Sequence, residues 1–311
     1  MRSYADFLAL TAPLFLLVFV GYVLSRWGRW PKVVSDALTR FVFAVAIPAL
    51  LFRLMSDFSR LPAVDARLLV AYFGGCFLSY AIARVIAARA LRMDGVQASV
   101  FAMGTIFANV VLLGIPIAKV TLGDPALPAV SLVVVFNSLT LWTLVTLSVE
   151  WARHRDLSLR GFARTARGVV LNPVVAGVLL GTAFGFTRLP MPRVIDETLS
   201  LMSNAAVPMS LIVLGMGLAE YGVREGLRTS VVLSLMKLVL APLLVYVLAR
   251  ALALPAVETN AVVLLASLPV GANVYLMARQ FGALEGPVAT SLVLTTLCAA
   301  LTTPLLLSLL Q

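Results

Sequence analysis

Long apolar runs, separated by short polar links, make up almost the whole chain. A window of about twenty residues, the length of an α-helix that crosses a bilayer, predicts ten spans. These spans lie near residues 7–25, 36–55, 67–89, 96–122, 128–150, 169–187, 196–219, 228–250, 258–281 and 286–309. The first run is too long for the apolar core of a signal peptide and no small-residue cleavage site follows it, so we expect the mature chain to keep it. The pattern predicts an all-α integral membrane protein with ten transmembrane helices.

Two of these spans, the fourth and the ninth, contain polar and helix-breaking residues in the middle of apolar sequence. The residues are Asn109, Gly114 and Pro116 in span 4, and Pro269, Gly271 and Asn273 in span 9. A proline removes a backbone donor and clashes with the preceding turn, and broken backbone at membrane depth is stable only in a protein-lined cavity. Both spans are therefore predicted to be broken helices, and such a pair in corresponding positions points to a transporter's substrate site.

The two halves of the chain match each other at an offset of 160 residues, where Pro13 corresponds to Pro173 and Pro48 to Pro208. Each repeat holds five spans, an odd number, so the second repeat is expected to enter the membrane from the opposite side. The predicted organisation is a first five-helix repeat over residues 1–151, a basic cytoplasmic linker over 152–167 and an inverted second repeat over 168–311.

Composition and charge support a membrane class. Hydrophobic residues make up 61% of the chain, charged residues only 12%, and the mean hydropathy is +1.02, which leaves too little polar surface to coat a soluble globule. The net charge of +10 arises mainly from links that we expect to face anionic lipid, so nucleic acid is not a predicted partner. Cys76 and Cys298 lie in apolar runs without metal-ligand spacing, and we expect no disulfide framework, metal or other cofactor.

Lysine and arginine are concentrated in the links that follow odd-numbered spans. Links that carry this excess remain in the cytoplasm. The bias therefore predicts that the odd-numbered links are cytoplasmic and that both termini lie outside. We expect a multi-pass protein of the inner, or plasma, membrane.

Three further residues outside the broken spans are candidates for the site. Lys237 lies roughly ten residues inside span 8, where a lysine costs about 2.5 to 3.5 kcal/mol, so we expect a freed carbonyl or an anionic substrate as its partner. A purely structural role, tethering the broken helices, is the alternative. Asn137 lies near mid-membrane in span 5 and either contacts substrate or forms an interhelical hydrogen bond. Phe52 follows Pro48 in span 2 and either lines the cavity or makes an ordinary packing contact.

Several motifs, taken in their order along the chain, resemble one family of carriers. They are Asn109-Val-Val-Leu-Leu-Gly114-Ile115-Pro116 in span 4, Ile47-Pro48-Ala49-Leu50-Leu51-Phe52 in span 2, Asn172-Pro173 at the start of span 6, and Lys237-Leu238 with Pro242 in span 8. The chain resembles the auxin efflux carrier family, which includes the plant PIN-type carriers and bacterial relatives such as malonate carriers. It departs from the plant members in having Asn273-Val274 where they have a second proline, and a short central link.

The resemblance implies a bile-acid symporter/PIN-like fold, in which spans 4 and 9 cross at their breaks. It also implies that a transport domain of helices 3–5 and 8–10 moves like an elevator against a scaffold of helices 1, 2, 6 and 7. Within this arrangement, half-helix N-termini and side-chain amides at the midplane suit a carboxylate. Asn109 and Asn273 are the predicted polar pair, with Gly271 beside them, and the resemblance places a substrate-contacting amide at Asn137. The alternative is that both asparagines only satisfy backbone groups freed by the breaks.

The predicted function is export of a small organic anion by alternating access, driven by the membrane potential as a uniport. A sodium- or proton-coupled symporter of acids such as malonate is the alternative, although a coupling site normally uses mid-membrane carboxylates and the sequence places none there. A passive channel or a non-transporting receptor is a further alternative. Catalysis is not expected, since no buried nucleophile or paired carboxylates are evident. The expected partners are substrate and lipid, and a homodimer through the scaffold helices is left open.

Overall fold

The computed structural model describes residues 3–56, 65–154, 173–221 and 226–310, and apart from one isolated β-bridge the regular elements in these ranges are helical. The α-helices are α1 (Tyr4–Arg26), α2 (Lys32–Phe41), α3 (Ile47–Ser56), α4 (Arg67–Arg89), α5 (Gly95–Ile106), α6 (Ile115–Thr121), α7 (Leu127–His154), α8 (Pro173–Thr187), α9 (Arg193–Tyr221), α10 (Leu227–Leu235), α11 (Ala241–Ala251), α12 (Ala256–Ser267), α13 (Ala272–Phe281) and α14 (Glu285–Leu309). Most of the predicted basic linker lies outside the described residues.

Six helical stretches in the described part of the chain are long and apolar enough to cross a membrane. They are α1, α4, α9, α14 and the stretches Lys32–Arg53 and Leu227–Ala251, each of which joins two α-helices. The predicted spans 4 and 9 appear instead as pairs of shorter helices, because each is interrupted. The prediction of a multi-pass α-helical membrane protein is thereby confirmed.

Each of three π-helical turns lies just before a proline. The turns are Val42–Ala46, Val110–Gly114 and Met236–Leu240, and the prolines that follow them are Pro48, Pro116 and Pro242. In a regular helix a proline ring collides with the carbonyl four residues earlier and offers no donor. A π turn contains an extra residue, so the helix absorbs the proline without ending. Gly114 and Pro116 therefore lie within helical structure, and the interruption of span 4 comes earlier, after α5.

The helices α1, α3, α8 and α9 pack closely at glycines. A Cβ atom on Gly215 of α9 would lie 1.8 Å from the Val18 carbonyl oxygen of α1, and a Cβ on Gly181 of α8 would lie 2.5 Å from the Phe52 carbonyl oxygen of α3. Such spacing leaves no room for a larger residue, and it is typical of membrane helices held together by small residues at the interface. The two pairs α1–α9 and α3–α8 are thus in backbone contact.

A second group of contacts surrounds the interrupted helices. The helix α4 packs against α5 and α11, α12 packs against α11 and α14, and α5 packs against α7. Arg84 of α4 donates hydrogen bonds to Ser99 of α5 and, at 2.5 Å, to the Ser148 hydroxyl of α7. The helices that carry the two breaks are therefore connected to α4, α7, α11 and α14.

Candidate functional site

The two interrupted segments meet and pair through their backbones. Beyond the ends of α5 and α12 the Asn109 N–H donates to the Pro269 carbonyl at 2.9 Å, and the Gly271 N–H donates to the Phe107 carbonyl at 2.8 Å. These two bonds form an antiparallel bridge between the segments. A Cβ atom on Gly271 would lie 3.0 Å from the Ala108 carbonyl oxygen, so a glycine permits this close approach. We call the paired residues 107–109 and 269–271 the crossover bridge.

A half-helix begins on each strand of the crossover bridge. The π turn that leads into α6 starts directly after Asn109, and its Gly114 N–H donates to the Asn109 carbonyl at 3.0 Å. On the other strand α13 starts directly after Gly271. The first turns of both half-helices carry N–H groups with no partner within their own helix, together with the positive end of the helix dipole. The crossover bridge therefore combines amide donors and partial positive charge, a combination that favours an anion.

Asn109 and Asn273 lie in different environments. Asn109 is 5% exposed, and its side-chain nitrogen Nδ2 is buried without any hydrogen-bond partner in the structure. Asn273 is the second residue of α13 and is exposed. Buried polar groups are almost always hydrogen-bonded, so an unpartnered buried donor requires an explanation. The alternative was that both asparagines only satisfy backbone groups freed by the breaks. The Asn109 amide nitrogen makes no such hydrogen bond in the structure.

Lys237 is hydrogen-bonded to a backbone carbonyl inside the protein. It is fully buried, and its Nζ donates to the Ala266 carbonyl in the last turn of α12 at 2.5 Å. In an unbroken helix that carbonyl would accept from Val270, but the Val270 N–H instead donates to the Thr295 hydroxyl of α14 at 3.1 Å. One helical hydrogen bond is thus replaced by two side-chain hydrogen bonds from different elements. Lys237 contacts a carbonyl freed by the break, which was one of the partners that the sequence indicated.

Asn137 is buried between helices. It is 1% exposed, and the hydroxyl of the fully buried Tyr72 in α4 donates to its Oδ1 at 3.4 Å. This contact is the interhelical hydrogen bond that sequence reasoning set beside a substrate role. Tyr72 and Thr295 were not singled out from the sequence, because a lone tyrosine or threonine in an apolar span is a common packing residue.

Phe52 lies next to a cavity of about 560 Å³ whose lining residues do not include those of the crossover bridge. Its ring centroid is 6.1 Å from that of Phe184, which lines the cavity together with Leu50 and Lys119. An ion pair between Arg53 and Asp196, with a 2.7 Å contact, also borders this space. The cavity lies between α3, α8 and α9 on one side and α6 and α7 on the other. Asn109, Asn137 and Lys237 are not among its lining residues.

No group of three His, Cys, Asp or Glu side chains within the described ranges could hold a metal ion. The described ion pairs belong to Lys32, Arg53, Arg67 and Arg193, which lie at or near helix ends. The polar groups described at the crossover bridge include amides, backbone N–H groups, the Thr295 hydroxyl and one lysine. Such a set can bind and orient an anion.

Comparison with known proteins gives consistent matches over nearly the whole chain. A family model described as "Membrane transport protein" matches residues 7–307. The "Putative malonate transporter" of Rhizobium meliloti (strain 1021) is 25% identical over 300 residues, which cover 96% of this chain and 94% of that protein. An uncharacterised transporter of Methanocaldococcus jannaschii is 22% identical over 296 residues, covering 90% and 91%. "Auxin efflux carrier component 8" of Arabidopsis thaliana is 20% identical over 347 residues, covering 94% of each chain.

Proposed function

Because the chain belongs to the auxin efflux carrier family of membrane transport proteins, we propose that it is a secondary transporter of a small organic anion. The observation that carries this proposal is the unpartnered amide nitrogen of Asn109, buried at the crossover bridge. A carboxylate oxygen accepts from such a donor, and a hydrogen bond to a charged group contributes about 1.5–3 kcal/mol. The relative named as a malonate transporter makes a dicarboxylate a suitable first probe.

In this proposal Asn109 binds the substrate carboxylate from one strand of the bridge, and Asn273 binds it from the first turn of α13, which follows the other strand. The first-turn N–H groups of the half-helices after Asn109 and Gly271 supply further donors. Gly271, without a side chain, lets substrate and backbone approach each other. The side-chain oxygen of Asn137 accepts a hydrogen bond from Tyr72, and its amide nitrogen is the group that we assign to substrate.

The proposed mechanism is elevator-type alternating access in a ten-helix, bile-acid symporter/PIN-like fold made of two inverted repeats. The scaffold comprises α1–α3, α8 and α9, and the moving body comprises α4–α7 and α10–α14. The glycine contacts of α1 with α9 and α3 with α8 support a compact scaffold, and the contacts of α4 with α5 and α11 support a second body. The cavity bordered by Arg53 and Lys119 lies between the two groups, where an entry route would have to run.

We further propose that the carrier exports its substrate as a uniport driven by the membrane potential. An interior-negative potential of 100 mV is worth about 2.3 kcal/mol per charge, which supports a roughly fiftyfold outward gradient of a monovalent anion. The described polar groups at the bridge are amides, the Thr295 hydroxyl and the neighbouring Lys237, whereas a sodium or proton symporter normally uses carboxylates.

Currents from proteoliposomes on a solid-supported membrane test this coupling. Malonate jumps should give currents that persist without sodium and without a pH gradient. Jumps of an uncharged molecule of the same size, such as malonamide, serve as the control and should give none. Currents that vanish when sodium or the pH gradient is removed would replace the uniport with a symporter.

A further inference from the structure

The ammonium of Lys237 places a positive charge next to the proposed binding site. Its side chain is fully buried and donates to the Ala266 carbonyl, three residues before Pro269 of the crossover bridge. The C-terminal end of a helix carries partial negative charge, so a cation there is stabilised. Within the described residues no carboxylate lies within ion-pair distance of Lys237, since the ion pairs that are present involve other basic residues. Among the residues that the structure describes, the charge therefore has no carboxylate partner, and a substrate anion would supply one.

The hydrogen bond from Lys237 to the Ala266 carbonyl couples the lysine to any movement of the crossover bridge. The Ala266 carbonyl and the Val270 N–H flank Pro269, and Lys237 and Thr295 together replace the hydrogen bond that these two groups would share in a regular helix. A body that carries the crossover bridge across the membrane must carry Lys237 with it, because separating them would leave the buried carbonyl without a partner. At the depth of the substrate, the moving body then carries the charge of the substrate plus that of Lys237.

We propose that Lys237 shifts charge movement from the loaded step of the transport cycle to the return of the empty carrier. This inference rests on the proposed carrier function. With a monovalent carboxylate the charge of Lys237 cancels that of the substrate, and the outward step of the loaded site is insensitive to membrane potential. The empty site carries the charge of Lys237 alone, and an interior-negative potential draws it back inward, with a bias of about fiftyfold at 100 mV when it crosses the whole field. The charge moved per complete cycle remains that of the substrate.

With a divalent carboxylate, both the loaded step and the return of the empty carrier move charge. Its loaded complex carries one negative charge outward, and the empty carrier returns with one positive charge, so an interior-negative potential favours both movements. Neutralising Lys237 would place both charges on the loaded step and leave the return step without voltage dependence. The positive charge of Lys237 therefore determines which step of the cycle depends on the membrane potential.

Charge movement in the absence of substrate tests the proposal directly. Voltage steps on excised patches of giant proteoliposomes, with no carboxylate on either side, should give transient currents that carry up to one elementary charge per protein and reverse when the step ends. The change Lys237→Gln retains an amide donor for the Ala266 carbonyl but removes the charge, and it should abolish these transients. The change Thr295→Val removes the other half of the replaced hydrogen bond without altering charge, and its transients should remain.

Three results would overturn the proposal: absence of transients in the unmodified protein, their persistence in Lys237→Gln, or their loss in Thr295→Val as well. If Lys237→Gln does not fold, the unmodified protein still tests the proposal, because the proposal requires transient currents without substrate and their absence would overturn it. Malonate exchange on the same preparation separates this inference from the function on which it rests. Exchange without transients overturns only the role of Lys237, whereas absence of both overturns the carrier function too.

Discussion

At the scale of single residues, the sequence identified the polar groups but not their environments. Asparagines and a lysine in apolar spans are conspicuous, and Asn109, Asn137 and Lys237 are all buried. The partners of Asn137 and Lys237 belong to other helices, Tyr72 in α4 and Ala266 in α12, and no local pattern reveals such pairings. The difference between buried Asn109 and exposed Asn273 also depends on how the two segments cross. Which of these residues contact substrate remains a prediction.

Asn109→Ala should weaken malonate binding by roughly tenfold or more, because it removes a donor to a charged group, and a tenfold change in affinity corresponds to about 1.4 kcal/mol. Stability should change little, since the Asn109 amide nitrogen has no protein partner to lose. Isothermal titration or a ligand-induced thermal shift measures the effect. Asn109→Asp, nearly equal in size but acidic, should be at least as damaging to anion binding. Normal affinity in both variants would leave Asn109 without a substrate role.

At the scale of elements, the two interruptions of the apolar pattern were predictable and their exact position was not. Prolines at 116 and 269 and the nearby glycines indicate irregular helices from sequence alone. The π turn before Pro116 accommodates that proline, and the helix is interrupted several residues earlier, at Phe107–Asn109. The pairing of the two breaks depends on tertiary structure, because its donors and acceptors lie about 160 residues apart.

Thr295 stabilises the second break, and Thr295→Val tests this. The change leaves the buried Val270 N–H without its acceptor, which should cost about 1–3 kcal/mol and lower the temperature of thermal unfolding by several degrees. The neighbouring Thr296 donates only to the Leu292 carbonyl of its own helix, so Thr296→Val is a matched control that should be nearly neutral. Equal melting temperatures for the two variants would contradict a special role of Thr295.

Two adjacent glycines of α4 provide a test of helix packing. A Cβ on Gly75 would lie 2.9 Å from backbone atoms of Val245 in α11, whereas a Cβ on Gly74 would meet only the flexible end of the Leu248 side chain, at 3.1 Å. We expect Gly75→Ala to cost about 1–3 kcal/mol through overpacking and Gly74→Ala to be tolerated. Thermal unfolding of both purified variants, followed by fluorescence-detected size exclusion, measures the difference. A tolerated Gly75→Ala would show that α4 and α11 are less closely packed.

At the scale of the whole molecule, composition and periodicity were sufficient to predict a multi-pass helical membrane protein, and the family matches agree with it. The direction in which the chain crosses the bilayer rests on the distribution of lysine and arginine. The grouping of helices into scaffold and moving body rests on contacts between distant segments, such as Gly215 against Val18, that no periodicity specifies. The orientation in the bilayer and the grouping of the helices are therefore tested separately.

Accessibility of single cysteines tests the predicted orientation. In a protein with Cys76 and Cys298 replaced, Leu189→Cys and Ala90→Cys each add a thiol at an exposed position. The positive-inside bias places residue 189 outside and residue 90 in the cytoplasm. An impermeant maleimide should label Leu189→Cys in intact cells and Ala90→Cys only after the membrane is opened. The opposite labelling would invert the orientation and the assigned direction of transport.

Counterflow in sealed proteoliposomes tests whether this protein is a carrier whose carboxylate site is the crossover bridge. Vesicles loaded with unlabelled malonate and diluted into a trace of labelled malonate should transiently accumulate label above equilibrium, because an alternating site exchanges one molecule for another. Asn109→Asp should abolish the overshoot in protein that still purifies as a monodisperse species. Label that only equilibrates would indicate a channel, and an overshoot that survives Asn109→Asp would place the site elsewhere.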